Sequence, residues 1–156
     1  MKQPGKAVQR VQWVCFALYG TLMLCLLFGR SRYDGSVSYW EQVRQSVNLL
    51  PLRTVGLYLR LLTEYSDAHL HKLAVINLVG NVVMFIPLGF FFGALYPKLR
   101  ALWRTLLATV LIICLVEAVQ LFTLVGSCDV DDLILNTAGS GLGYGIFRIL
   151  QKGSRI

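Results

Sequence analysis

Residues 74–96 contain no Asp, Glu, Lys, Arg or His in 23 consecutive positions, and no other feature restricts the fold as strongly. As an α-helix rising ~1.5 Å per residue, such a run spans the ~30 Å hydrocarbon core of a bilayer. Only a helix or a closed barrel satisfies its own backbone there. Three more apolar runs, residues 11–29, 105–124 and 133–150, are expected to cross as well. The first follows Lys2, Lys6 and Arg10 and leads into Arg30-Ser31-Arg32, which offers no small-residue cleavage site, so it reads as an uncleaved anchor. The last is Gly-rich and holds Asn136 and Arg148, which makes it the shortest and most polar of the four. The expected fold class is all-α, a polytopic membrane protein with four transmembrane helices, forming one integral membrane domain over residues 1–156.

Hydrophobic residues make up 56% of the chain and charged residues only 15%, a composition that excludes a soluble enzyme with a flexible tail and a disordered binder. The net charge of +7 comes from basic residues at the ends of the apolar runs, not from one patch interleaved with aromatics, so no nucleic acid partner is expected. Cys15, Cys25 and Cys114 fall within apolar runs and read as buried small hydrophobes. Cys128 stands alone in a polar link, which gives neither a disulfide framework nor a metal-binding spacing.

Basic residues set the expected orientation. Lys2, Lys6 and Arg10, then Lys98, Arg100 and Arg104, then Arg148, Lys152 and Arg155 mark the amino terminus, the second link and the carboxyl terminus as cytoplasmic. The third link, residues 125–132, has Asp129, Asp131 and Asp132 and no basic residue, and is assigned outside. The first link, residues 30–73, is then external too. It carries Arg30, Arg32, Arg44, Arg53, Arg60 and Lys72, offset by Asp34, Glu41, Glu64 and Asp67. Within it residues 53–62 place Val55, Tyr58, Leu59 and Leu62 on one helical face, with Leu57 and Leu61 off it. That segment reads either as a helix lying in the outer interface or as a packed loop.

With this orientation the intramembrane polar residues fall at one depth. Asn77 and Asn81 lie in the outer half of the second helix, Glu117 and Gln120 in the outer half of the third, and Asn136 one turn below Asp132 in the fourth. Polar groups facing lipid are costly, so the expectation is that they turn toward one another or toward a wetted opening. Glu117 serves either as a general acid or base or as a structural group taking donors from Asn81, Gln120 or Asn136. Asp129, Asp131 and Asp132 with Glu117 make an oxygen-rich set for a divalent cation, or else they are solvated link residues with Asp131 or Asp132 capping the fourth helix; no defined calcium-loop spacing is present, and no cofactor is assigned. His69 and His71 share one side of an extended segment but lack a third ligand, and read as surface residues. Pro87 removes a helical donor and is expected to bend its helix. Gly139 and Gly143, and Gly141 and Gly145, permit close packing, within one chain or between copies in a homo-oligomer. GxGxxG, phosphate-loop, GxSxG and HExxH motifs are absent from the sequence.

In order along the chain stand Asn48-Leu49-Leu50-Pro51-Leu52, Asn77-Leu78-Val79-Gly80-Asn81, Phe85-Ile86-Pro87-Leu88-Gly89, Glu117-Ala118-Val119-Gln120, Gly126-Ser127-Cys128-Asp129-Val130-Asp131-Asp132, Asn136-Thr137-Ala138-Gly139 and Gly143-Tyr144. This ordered set, within residues 48–145, resembles the VanZ-like family of small bacterial membrane proteins, named for a teicoplanin-resistance protein. The resemblance implies that Asn81, Glu117, Gln120, Asp129, Asp132 and Asn136 occupy the family's polar positions. Many relatives have Arg where this chain has Gly126, while others have Gly; without that Arg a phosphorylated substrate would need Arg53 or another cation instead. The implied role is in the bacterial cell membrane and envelope, with reduced sensitivity to a lipoglycopeptide. The expected ligand is a membrane lipid, an amphiphilic envelope precursor or the lipoglycopeptide itself, bound near the outer leaflet by Asn81, Gln120, Asn136 and Arg53. In an enzyme Glu117 would be the acid or base, oriented by Asp129 or Asp132; an assembly protein without catalysis is the remaining class.

Overall fold

A computed structural model describes residues 5–29, 35 and 37–153 of the chain. Lys2, Arg30, Arg32, Asp34 and Arg155, which enter the charge argument, lie outside the described residues. The elements in order are α1 (Lys6–Phe28), α2 (Tyr39–Gln45), β1 (Val47–Asn48), α3 (Arg53–Glu64), α4 (Ala68–Leu95), a 3₁₀ turn (Pro97–Leu99), α5 (Leu102–Phe122), β2 (Cys128–Asp129) and α6 (Val130–Gly153). The protein is an all-α polytopic membrane protein, in which α1, α4 and α5 are each long and apolar enough to cross a bilayer. With 24 residues α6 matches them in length, but Asp131, Asp132, Arg148 and Lys152 make it more polar.

Side-chain pairings give the direction of each helix. Tyr19 of α1 donates to the Met84 carbonyl, and the rings of Phe16 with Phe91 and Trp13 with Tyr96 each meet at 5.4 Å, so α1 runs antiparallel to α4. In contrast α6 runs parallel to α4. A Cβ on Gly139 would lie 2.0 Å from the Val82 carbonyl oxygen, one on Gly143 1.8 Å from that of Ile86, and one on Gly93 against the Phe147 ring. Hydrocarbon supplies no hydrophobic drive between helices, so backbone contact through small residues carries this crossing. The Gly139 and Gly143 face is therefore filled by α4 of the same chain and is closed to a second copy. Between α5 and α6, Thr109 and Ser140 share a hydrogen bond of 2.7 Å with both residues fully buried.

Met23, Phe85, Leu88, Phe92 and Ile113 form the inner apolar cluster, while much of the remaining apolar surface faces outward. Cys15, Cys25 and Cys114 belong to that outer surface and are exposed, not buried as their apolar context suggested. In a bilayer the medium outside the bundle is as apolar as the core, so a small hydrophobe gains nothing by turning inward. The helix α4 continues unbroken through Pro87.

The first link is structured. Residues 53–62 are helical, as one of the two readings held, within the longer α3. Val55, Tyr58 and Leu62 are half-buried, but Leu61 joins them and Leu59 is exposed, so the face that α3 packs toward α4 is rotated from the expected one. His69 and His71 fall in the first turn of α4, not on an extended segment, because Asp67 caps that helix by accepting from the His69 and Leu70 amides. Those two amides hold the Asp67 carboxyl below the usual carboxylate range. His71 Nε2 donates to the Tyr65 carbonyl at 2.5 Å.

Candidate functional site

The ends of three helices meet where α5 stops and α6 starts. A chain reversal after α5 is made by Leu124, whose φ of 55° lets the Val125 amide donate to the Gln120 carbonyl and the Leu124 amide to that of Leu121. Glycine usually fills this left-handed position at a helix end. The reversal carries Val125, Gly126 and Ser127 over a cavity of about 230 Å³, lined also by Asn81, Glu117, Gln120, Asp132, Asn136 and the apolar Leu26, Leu27 and Met84. At ~30 Å³ per water this space suits a small polar headgroup and is too small for an acyl chain. Glu117 is 8% exposed and Asn136 only 4%.

The bonds within the cavity are not those foreseen. Asn81 donates to the Asp132 carboxylate, and Gln120 Nε2 donates to the Leu27 carbonyl at 2.8 Å, which ties the end of α1 to α5. Glu117 Oε2 accepts from the Asp129 backbone amide at 3.3 Å, so Asp129 positions it through the main chain. Asn136 Oδ1 is buried without a hydrogen-bond partner among the described residues.

One turn away the acidic link forms a second polar region. Asp131, fully buried, accepts from the amides of Leu52 at 2.5 Å, Thr54 at 2.8 Å and Val55 at 3.0 Å. One reading had Asp131 or Asp132 capping the fourth helix; Asp131 caps α3 instead, and it is Asp129, just before α6, that caps α6 by taking the Asp131 amide on Oδ1 at 2.9 Å. Asp129 also accepts from Asn48 at 3.1 Å and Thr54 Oγ1 at 2.5 Å. The parallel pairing of β1 with β2 sets this register, Val47 beside Cys128 and Asn48 beside Asp129. These bonds explain why the Asn48–Leu52 segment and the acidic link occur together in the sequence. Burial, with Glu117, Cys114 and Asp129 nearby, raises the Cys128 thiol above its usual pKa.

The structure therefore gathers Asn81, Glu117, Gln120, Asp132 and Asn136 around one cavity. It does not bring Asn77 there, whose amide donates to the Leu73 carbonyl of its own helix at 2.8 Å. The Asp129 side chain points to the α3 latch, and Arg53 lines a separate groove with Arg60, Gln45 and Asn48. Among the described residues no group of three or more His, Cys, Asp or Glu is arranged to hold a metal, and the oxygens of Asp129 and Asp131 are already taken by protein donors. Sequence reasoning missed Thr54, which bonds both latch aspartates; its position just inside a helix that starts after Pro51 was the available signal.

A family model for VanZ/LLP1 matches residues 16–151, most of the chain. The chain belongs to the VanZ/LLP1 family. It is 25% identical over 137 residues to Protein VanZ of Enterococcus faecium, covering 87% of this chain and 73% of that relative. No solved structure matches it. The VanZ/LLP1 match covers α1 from Phe16 onward as well as the segments that carried the resemblance, so the family unit includes the Leu26 and Leu27 wall of the cavity.

Proposed function

We propose that this VanZ-like protein recognises the polar head of an amphiphile at the outer leaflet of the bacterial cell membrane, and through it lowers sensitivity to teicoplanin-type lipoglycopeptides. One observation supports this most directly. A headgroup-sized cavity joins polar side chains from three helices to an apolar wall of Leu26, Leu27 and Met84, where a lipid or lipoglycopeptide chain can lie alongside while its head enters. Leu57 and Leu59 on α3, with Leu49, Leu50 and Leu52 before it, add exposed apolar surface on the same link, which suits contact with the interface. In this reading both termini are cytoplasmic, and α6 crosses beside α4.

The test uses a teicoplanin-susceptible host expressing the protein. Glu117→Gln, present at the same membrane level, is expected to abolish the shift in the teicoplanin concentration that stops growth. An undiminished shift overturns the assignment. A catalytic version, with Glu117 as general acid or base, draws on the burial of Glu117 beside the unpartnered Asn136 oxygen; it predicts a new product from a lipid-linked precursor, whereas a binder gives saturable retention without turnover.

A further inference from the structure

We propose that the Glu117 cavity takes a protonated primary amine, the ammonium head of a membrane amphiphile. This rests on the reading of the cavity as a headgroup site and specifies its chemistry.

Two of the cavity's side-chain donors, the amide nitrogens of Asn81 and Gln120, are spent, while acceptors are left over. The partners of Asn81 Nδ2 and Gln120 Nε2 are a carboxylate and a backbone carbonyl, both acceptors, so each side chain must present its nitrogen there and keep its oxygen for other use. Asn136 adds a buried oxygen with no partner among the described residues. Glu117 adds a carboxylate whose bond in the structure is one long contact from a main-chain amide. No Lys, Arg or His lines the cavity among the described residues. A ligand that completes this set must bring N–H or O–H donors, and a positive charge offsets a desolvated carboxylate where a neutral donor does not.

Each alternative fails on one of those counts. A phosphate or carboxylate brings only acceptors and the wrong charge. A sugar brings hydroxyl donors with as many acceptors and no charge. A quaternary ammonium brings charge without a donor and leaves the Asn136 oxygen unpaired. A primary ammonium carries three N–H donors on one compact charge, and the apolar wall of Leu27 and Met84 receives the first methylenes of its chain.

The experiment uses the full-length protein in phosphatidylcholine nanodiscs at pH 7, where an alkylamine with a pKa near that of lysine is protonated. Decylammonium, decyltrimethylammonium, decyl phosphate, decyl glucoside and ethylammonium are titrated, and the saturable rise in thermal unfolding temperature is read. Decylammonium is expected to bind at least about tenfold more tightly than any other probe. Glu117→Gln and Asn136→Leu are each expected to weaken it by about tenfold, the scale of one charge-assisted hydrogen bond, and Arg60→Ala to leave it unchanged. If decyl phosphate, decyl glucoside or decyltrimethylammonium matches decylammonium and Glu117→Gln still weakens the winner, the amine assignment falls and the headgroup site stands. If ethylammonium matches decylammonium, or no probe saturates, the headgroup site itself falls. The ranking of probes on the unaltered protein decides the question even where a variant does not fold.

Discussion

Two polar regions adjoin at the start of α6 and use their carboxylates in opposite ways. At the α3 latch every oxygen of Asp129 and Asp131 meets a donor from the protein, half of them backbone amides brought from the first link. At the Glu117 cavity the amide nitrogens of Asn81 and Gln120 are taken by Asp132 and the Leu27 carbonyl while acceptor oxygens stay unfilled. A saturated cluster resists replacement because removing either side strands the other; an unsaturated one costs stability for as long as it is empty. The latch therefore serves the fold, and the cavity has capacity to spare for a ligand.

The largest expected effect falls on the latch. Asp131→Ala leaves three amides at the start of α3 without their acceptor, a loss on the order of 3 kcal/mol. It should lower the thermal unfolding midpoint in detergent and open the first link to proteolysis. Equal stability of wild type and Asp131→Ala would mean that water replaces the carboxylate and that the two regions do not differ.

The cavity should respond in the other sense. Asn136→Leu removes a buried acceptor that has no partner, so its unfolding midpoint should stay level or rise, by a change worth about 1 kcal/mol. Glu117→Gln should likewise keep or raise stability while ligand binding weakens. A marked fall in stability for both variants would place the cavity with the latch as a structural cluster.

This difference bears on what the sequence could reveal. The long helices were legible because lipid demands uninterrupted apolar runs, and the joint depth of Asn81, Glu117, Gln120 and Asn136 followed from their helical positions alone. Asn77 shows where that reasoning ends. It sits one turn from Asn81, yet a bond to its own helix at Leu73 satisfies it without any neighbour. The roles of Asp129 and Asp131 could not be read, because their partners lie more than seventy residues earlier and depend on the β1–β2 register. The same holds for Arg53, whose type suits an anion but whose helix faces another groove. The outward cysteines were misjudged because hydropathy does not separate a lipid-facing side from a core-facing one.

The smallest effects come from two leucines held at positive φ, one in each region. Leu52, φ 63°, turns the chain into α3 at the latch, and Leu124, φ 55°, turns it over the cavity. A left-handed residue with a side chain costs roughly 1–2 kcal/mol, and glycine removes that cost while adding about 0.5–1 kcal/mol of chain entropy to lose on folding. Leu52 is 61% exposed, so Leu52→Gly gives up little packing and should raise stability by up to about 1 kcal/mol. Leu124 is 4% exposed, and losing its buried side chain, worth roughly 1.5–3 kcal/mol, outweighs the relief. Leu124→Gly should therefore lower the unfolding midpoint modestly and loosen Val125 to Ser127 above the cavity, which hydrogen exchange of those amides would register. Opposite signs for the two glycine variants are the expected result. Matching gains would show that Leu124 contributes no packing and that the cavity rim is held by its backbone bonds to Gln120 alone.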